Sequence, residues 1–209
     1  MERHLDKSLY GLYTILNIIS IVEDSMTKIS CLGDSIRLQY TPVVEQLLGD
    51  DFQIFSPSDN CRFVKYTLRA IFDWKDNMKD SRIVHFNNGL WDLCNLYGDG
   101  LFTSPEEYTE NILRVVDQLQ KRHEIVLFAT ITPVRPEHEF IRPADVAAFN
   151  EMIVPKLREK GVWITDLYTA VNADPQRYIC DDYIHLSEEG IRLCAELVAD
   201  NLRKAAATL

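Results

Sequence analysis

The sequence predicts an α/β domain: a three-layer α/β/α sandwich, flavodoxin-like, on a five-stranded parallel sheet. Three observations carry this. Apolar or β-branched runs recur at Lys28–Leu32, Phe52–Phe55, Arg82–Phe86, Ile125–Ile131 and Val162–Thr165. Segments of helical periodicity separate them, and such alternation places helices on both faces of a parallel sheet, joined by right-handed crossovers. The length of 209 residues suits one domain, and 46% hydrophobic with 26% charged residues is a globular balance.

The elements follow in order. Residues 1–26 are expected to form an N-terminal helical extension, with the domain itself over 27–209. The apolar run Leu9 to Val22 follows Arg3, His4 and Lys7, but Glu23 and Asp24 stand where a leader's small-residue cleavage site would be. The run is too short and too polar to span a bilayer. Leu9, Leu12, Ile15, Ile18 and Ile19 fall at helical spacing, which predicts an amphipathic helix that covers the core or pairs with a second subunit. Thr41-Pro42 predicts a helix start, running to Leu48, because proline suits the first helical position. Tyr66 to Trp74 reads as the next helix. Ser104-Pro105-Glu106-Glu107 is a capping box that opens a helix to Arg122. Ala144 to Lys160 is another, closed by Gly161. Ser187 caps a last helix from Glu188 to Ala205, with two acids in its first turn.

Charge and cysteine usage exclude several classes. A net charge of -10 argues against nucleic acid or an anionic membrane as the main partner. The five cysteines, Cys31, Cys61, Cys94, Cys180 and Cys194, are odd in number and form no C-x-x-C. Neither a zinc site nor a disulfide framework is expected, and reduced core cysteines point to the cytoplasm. No cofactor or metal is expected, and no glycine-rich nucleotide motif is present.

In open parallel sheets a ligand sits beyond the carboxyl ends of the strands, so the residues after each strand are the candidates. Gly33-Asp34-Ser35-Ile36 follows the first strand. Glycine permits a tight turn that sets a serine hydroxyl at the mouth of the sheet. Serine is a poor nucleophile near neutral pH and needs a base, and the base needs a partner on its other nitrogen. Asp182-Tyr183-Ile184-His185 is the one D-x-x-H of the chain and lies just before the last helix. Two adjacent asparagines, Asn87 and Asn88, follow the third strand, where a side-chain amide is a neutral donor for an oxyanion.

Together these blocks resemble the SGNH subgroup of the GDSL-type serine hydrolases, over roughly Lys28 to Leu202. Gly33-Asp34-Ser35 matches the first block and Asp182 with His185 the last; Thr132-Pro133-Val134 and Arg142–Asp145 belong to the same likeness. The resemblance implies Ser35 as nucleophile, His185 as general base and Asp182 as its orienting carboxylate. It implies an oxyanion hole made by the Ser35 N–H, a second-block N–H and a third-block asparagine. The second block usually has a glycine; Asn60-Cys61-Arg62 stands there, with the Cys61 N–H as the expected donor. The third block fits in two registers, His85-Phe86-Asn87-Asn88 or Gly89-Leu90-Trp91-Asp92. The first is preferred, with Asn87 as the donor and Asn88 as the alternative. The run also resembles a subgroup with an Asn-x-Gly-Leu-His/Trp-Asp third block.

Arg37, Arg62, Asn88, Trp91 and Arg135 are candidate substrate contacts near the strand ends. His85 is expected as a satisfied core histidine and His123 at a helix end; His138, in the loop from Pro133 to Pro143, could line the pocket, with the surface as the first expectation. Cys61 has no second base and is not expected as a nucleophile. The activity implied is hydrolysis of small esters, acetyl or short-chain, on carbohydrate. A short-chain lipase, acyl-thioesterase or lysophospholipase is the second expectation, and an inactive binding module of the same fold the third. No long apolar lid is evident in the sequence, which favours small acyl groups.

Overall fold

The computed structural model describes residues 26–209, so the amphipathic helix expected over the N-terminal extension lies outside the described residues. Five strands form one parallel sheet: β1 Thr27–Leu32, β2 Phe52–Phe55, β3 Ile83–Phe86, β4 Ile125–Ala129 and β5 Trp163–Thr165. Their spatial order is β2-β1-β3-β4-β5. The chain therefore leaves β1 on one side and returns on the other, and a crevice opens between the ends of β1 and β3.

Helices cover both faces. On one lie α1 (Ser35–Leu48), α6 (Leu167–Asn172), α7 (Pro175–Tyr178) and α8 (Glu188–Ala206), with α1 packed along α8. On the other lie α2 (Val64–Asp73), α4 (Pro105–Gln120) and α5 (Pro143–Glu159); the single turn α3 (Lys75–Met78) follows α2. The inner strands are buried on both faces, and β3 is buried at every position. The Ser104 and Ser187 caps form as the sequence predicts, each hydroxyl accepting a first-turn N–H. No helix among the described residues is long and apolar enough to cross a membrane.

The start of α1 differs from the sequence expectation. Asp34 is the cap, accepting from the Ile36 N–H at 3.0 Å, and the helix begins at Ser35 rather than beside Pro42. Pro42 lies inside it, where its missing N–H leaves the Leu38 carbonyl without its usual partner. The Thr41 hydroxyl bonds back to the Arg37 carbonyl at 2.8 Å instead of capping. Ile36, Tyr40, Val44 and Leu48 are all buried, and that apolar face outweighs the local break. The consequence is functional: Ser35 occupies the first position of a helix.

Candidate active site

The turn between β1 and α1 holds Ser35. Gly33 has a φ of 152°, and a Cβ there would sit 1.8 Å from Asn87 Oδ1, so only glycine fits. At the first helical position the Ser35 N–H has no intrahelical acceptor and remains available to a ligand. The Ser35 hydroxyl lies 2.9 Å from His185 Nε2. His185 Nδ1 lies 2.7 Å from Asp182 Oδ2. A proton on Nδ1, shared with that carboxylate, leaves Nε2 free to accept from the serine. Asp182 Oδ1 also accepts the N–H groups of His185 and Ile184, at 2.9 and 3.1 Å. Burial alone would raise the Asp182 carboxyl, but these hydrogen bonds outweigh it and hold the group below its usual range.

The loop carrying Asp182 and His185 is tied at several points. Cys180 N–H donates to the His185 carbonyl at 2.7 Å. Gln39 on α1 exchanges two hydrogen bonds with the Leu186 backbone, at 3.2 and 3.1 Å. Tyr183 stands in the left-handed region, with φ 69°, and its carbonyl accepts the Arg135 N–H at 2.9 Å. The Arg135 guanidinium lies over the Tyr183 ring at 4.9 Å and faces Asp181 at 3.5 Å. Arg135 thus holds this loop and is not placed as a substrate contact.

Two of the expected oxyanion donors, Cys61 and Asn87, make contacts within the protein. The Cys61 N–H donates to the Gly33 carbonyl at 3.0 Å, and Cys61 Sγ accepts the Gly33 N–H at 3.2 Å. Cys61 therefore locks the turn that carries Ser35 and has no N–H to offer a ligand. Burial pushes its thiol up, against any thiolate role. Asn87 Nδ2 donates to Asp34 Oδ1 at 2.8 Å, in a buried contact that offsets part of the burial raising the Asp34 carboxyl. Asn88 Nδ2 donates to the Arg62 carbonyl at 3.0 Å, and the Asn88 carbonyl accepts the Tyr108 hydroxyl at 2.9 Å. Both amides tie the end of β3 to neighbouring turns. Arg62 has φ 48°, so the left-handed backbone that glycine usually supplies is present here without one.

No family model and no curated protein matches the chain. Solved structures do. An acetyl xylan esterase, AlAXEase, superposes with a TM-score of 0.71 at 18% identity, covering 83% of this chain and 98% of its own. A lipase/acylhydrolase from Enterococcus faecalis gives 0.71 at 16%, covering 86% and 97%. An acetyl xylan esterase from Geobacillus stearothermophilus gives 0.70 at 15%, covering 84% and 94%. The fold is that of the GDSL-type acylhydrolases. At these identities the likeness is one of fold.

Within this GDSL-type fold a cavity of about 550 Å³ opens beside Ser35 and His185. Its polar wall is Asn60 and His138; its apolar wall includes Phe63, Leu90, Trp91, Leu96, Phe102 and Phe140. Of the sequence-predicted substrate contacts, only Trp91 lines it. Arg37 is fully buried and donates to Ser56 Oγ and to the carbonyls of Pro57, Asp59 and Gly33, at 2.7–3.0 Å. It clamps the loop after β2 to the turn that carries Ser35. Arg62 pairs with Asp59 at 3.7 Å and stacks over Tyr66 at 4.7 Å, away from the cavity wall.

Asn60 and the apolar rim apart from Trp91 were not singled out by the sequence as site residues, and His138, first expected on the surface, lines the cavity. Most of the rim comes from the segment between β3 and α4, with Phe140 from the loop after β4; Trp91, Leu96, Phe102 and Phe140 are exposed. Large apolar residues in a turn-rich segment were the available signal. Asp92 anchors this segment: its carboxylate accepts the Val64 N–H at 3.0 Å and the Thr103 hydroxyl at 2.8 Å. Burial pushes the Asp92 carboxyl up to about 7, with both hydrogen bonds opposing. His85 is buried as expected but not satisfied: neither ring nitrogen has a partner among the described residues, and burial lowers it to about 3, so it is neutral. His123 is buried at the end of α4, its Nδ1 2.7 Å from the Ser81 carbonyl.

Proposed function

We propose that this chain is a serine hydrolase of carboxylic esters that works by acyl transfer. The observation that carries the reading is the line Ser35 Oγ, His185 Nε2, His185 Nδ1, Asp182 Oδ2, with steps of 2.9 and 2.7 Å, opening on the cavity. His185 takes the hydroxyl proton as Ser35 Oγ attacks the ester carbonyl carbon. The carbonyl oxygen becomes an oxyanion. When it collapses, the bond to the alcohol oxygen breaks and His185 returns the proton to that oxygen. Water then repeats the sequence on the acyl-enzyme and releases the acid.

With the Cys61 N–H engaged and Asn87 outside the cavity lining, the oxyanion donors are the Ser35 N–H and the Asn60 amide. Asn60 Oδ1 accepts the Arg62 N–H at 2.7 Å, which fixes the orientation of the amide and leaves Nδ2 for a ligand. Labelling by a fluorophosphonate tests the whole reading. Label on Ser35, absent from the Ser35→Ala protein, is the expected result. An unlabelled wild-type protein leaves the inactive binding module as the better account.

Among substrates, the wall chemistry favours the lipase or acyl-thioesterase reading over acetylated carbohydrate. The structural neighbours carry both kinds of name. The aromatic and aliphatic lining of this cavity of about 550 Å³ suits a longer acyl or aryl group better than a polar acetylated sugar. A series of p-nitrophenyl esters from acetate to decanoate, run beside acetylated xylan, decides it. Rising kcat/KM with chain length supports the apolar reading; a preference for the xylan restores the carbohydrate one.

A further inference from the structure

His138 forms part of the cavity wall with Ser35 and His185, and the reaction outlined above gives it no role. It lies in the loop between β4 and α5. Its Nδ1 accepts two backbone N–H groups, from Phe140 at 3.3 Å and Ile141 at 3.1 Å. A nitrogen that accepts carries no proton, so the proton of the neutral ring is on Nε2. Burial disfavours the charged ring, and the nearby His185 acts in the same direction; Asp182 and Glu139 oppose them. His138 is therefore a neutral Nε2–H donor in a mostly apolar wall. His185 presents an acceptor in the same cavity.

Its position decides which part of a substrate it meets. The Ser35 N–H and Asn60 lie on the β1 and β2 side, where the oxyanion forms. His138 follows β4 and stands close enough to Asp182 and His185 for their charges to act on it. In acyl transfer the departing alcohol lies against the base, because the base hands it a proton. A group beside the base meets the alcohol and not the acyl chain.

We infer, resting on the esterase reading above, that His138 selects the alcohol half of the substrate by donating its Nε2–H to a hydrogen-bond acceptor carried on that alcohol. The ligand class is an ester whose alcohol bears an ether, hydroxyl or carbonyl oxygen a few bonds from the ester oxygen. A purely aliphatic alcohol leaves the Nε2–H unpaired when the cavity closes over it, and such mismatches cost more than a missing apolar contact.

A pair of esters that differ by one atom tests this: 2-methoxyethyl butyrate and butyl butyrate, where an ether oxygen replaces a methylene. The wild-type protein is expected to prefer the 2-methoxyethyl ester by roughly tenfold in kcat/KM, the size of one net hydrogen bond. His138→Asn is the informative variant. Asparagine Oδ1 takes the place of Nδ1 and keeps the acceptor for Phe140 and Ile141, while the Nε2–H is removed. The expected result is a ratio near one, with the loss falling on the 2-methoxyethyl ester. Equal slowing of both esters marks a merely structural residue and overturns the inference, as does an unchanged ratio. A wild-type protein labelled at Ser35 and active, but without the preference, overturns the His138 assignment alone. One that neither labels nor hydrolyses overturns the esterase reading and this inference with it.

Discussion

Two walls meet at Ser35, and they are built differently. On the side of β5 and α8, Asp182 and His185 sit on a partly exposed loop and aim their polar atoms along one line toward the serine. On the side of β2 and β3, Arg37, Asn87, Asn88 and Asp92 are buried, and their bonded polar atoms meet backbone or neighbouring side chains instead of the cavity. These polar residues thus fall into two groups with opposite uses. One group makes the hydrogen-bonded line to Ser35. The other holds the turn from Gly33 to Ser35 in place, because a buried amide or guanidinium without partners is costly.

Ser35→Ala breaks the comparison most severely. Loss of the nucleophile is expected to remove fluorophosphonate labelling and to lower ester hydrolysis by at least about 10³-fold, with an unchanged melting temperature. A protein that keeps its activity refutes the division.

Asn60→Ala and Asn87→Ala separate the two uses directly. Asn60→Ala is expected to lower kcat by about 10²-fold or more, the usual effect of losing one oxyanion donor, with little change in melting temperature. Asn87→Ala removes the side-chain donor of a buried carboxylate, and is expected to destabilise the fold by about 1–3 kcal/mol in urea unfolding. The reverse pattern returns Asn87 to the oxyanion hole.

Arg135→Lys loosens the loop without touching the hydrogen-bonded line to Ser35. A lysine cannot stack over Tyr183 while facing Asp181, so kcat is expected to fall roughly tenfold through lost positioning of His185, with KM nearly unchanged. Steady-state kinetics on one p-nitrophenyl ester read both terms.

The smallest effect sharpens the buried side. Folded Asp92 titrates near 7, above the ordinary carboxyl value of an unfolded chain. Between about pH 4 and about pH 7 the folded protein therefore holds a proton that the unfolded chain has released. This contribution is full below the unfolded value and is lost as pH rises through the folded one. Asp92→Asn keeps an acceptor oxygen for Val64 and Thr103, and is expected to flatten that fall in stability when urea midpoints are compared across the window.

Much of the fold was legible because its signals are local. The five strands are short apolar runs, and the Ser104 and Ser187 caps act within one turn. The start of α1 was misread because Pro42 is a strong local signal, while the burial of Ile36, Tyr40 and Val44 against α8 is not local. The same distinction governs the site. Asp182 and His185 are three residues apart, so their partnership could be read along the chain. Asn87 and Asp34 are 53 apart, and nothing in either neighbourhood announces that one amide is reserved for one carboxylate.

By itself, then, the sequence determined the α/β/α layering and the candidacy of Ser35, Asp182 and His185. Hydrophobic period, turn chemistry and a short D-x-x-H spacing are properties of neighbouring residues. Tertiary structure decided which donors face the cavity: Asn60 and His138 do, while Cys61, Asn87 and Arg37 turn inward. It also decided that the cavity is apolar. The physical reason is that a hydrogen-bond donor serves whichever acceptor the packed chain brings within about 3 Å, and that choice is made only when distant segments meet.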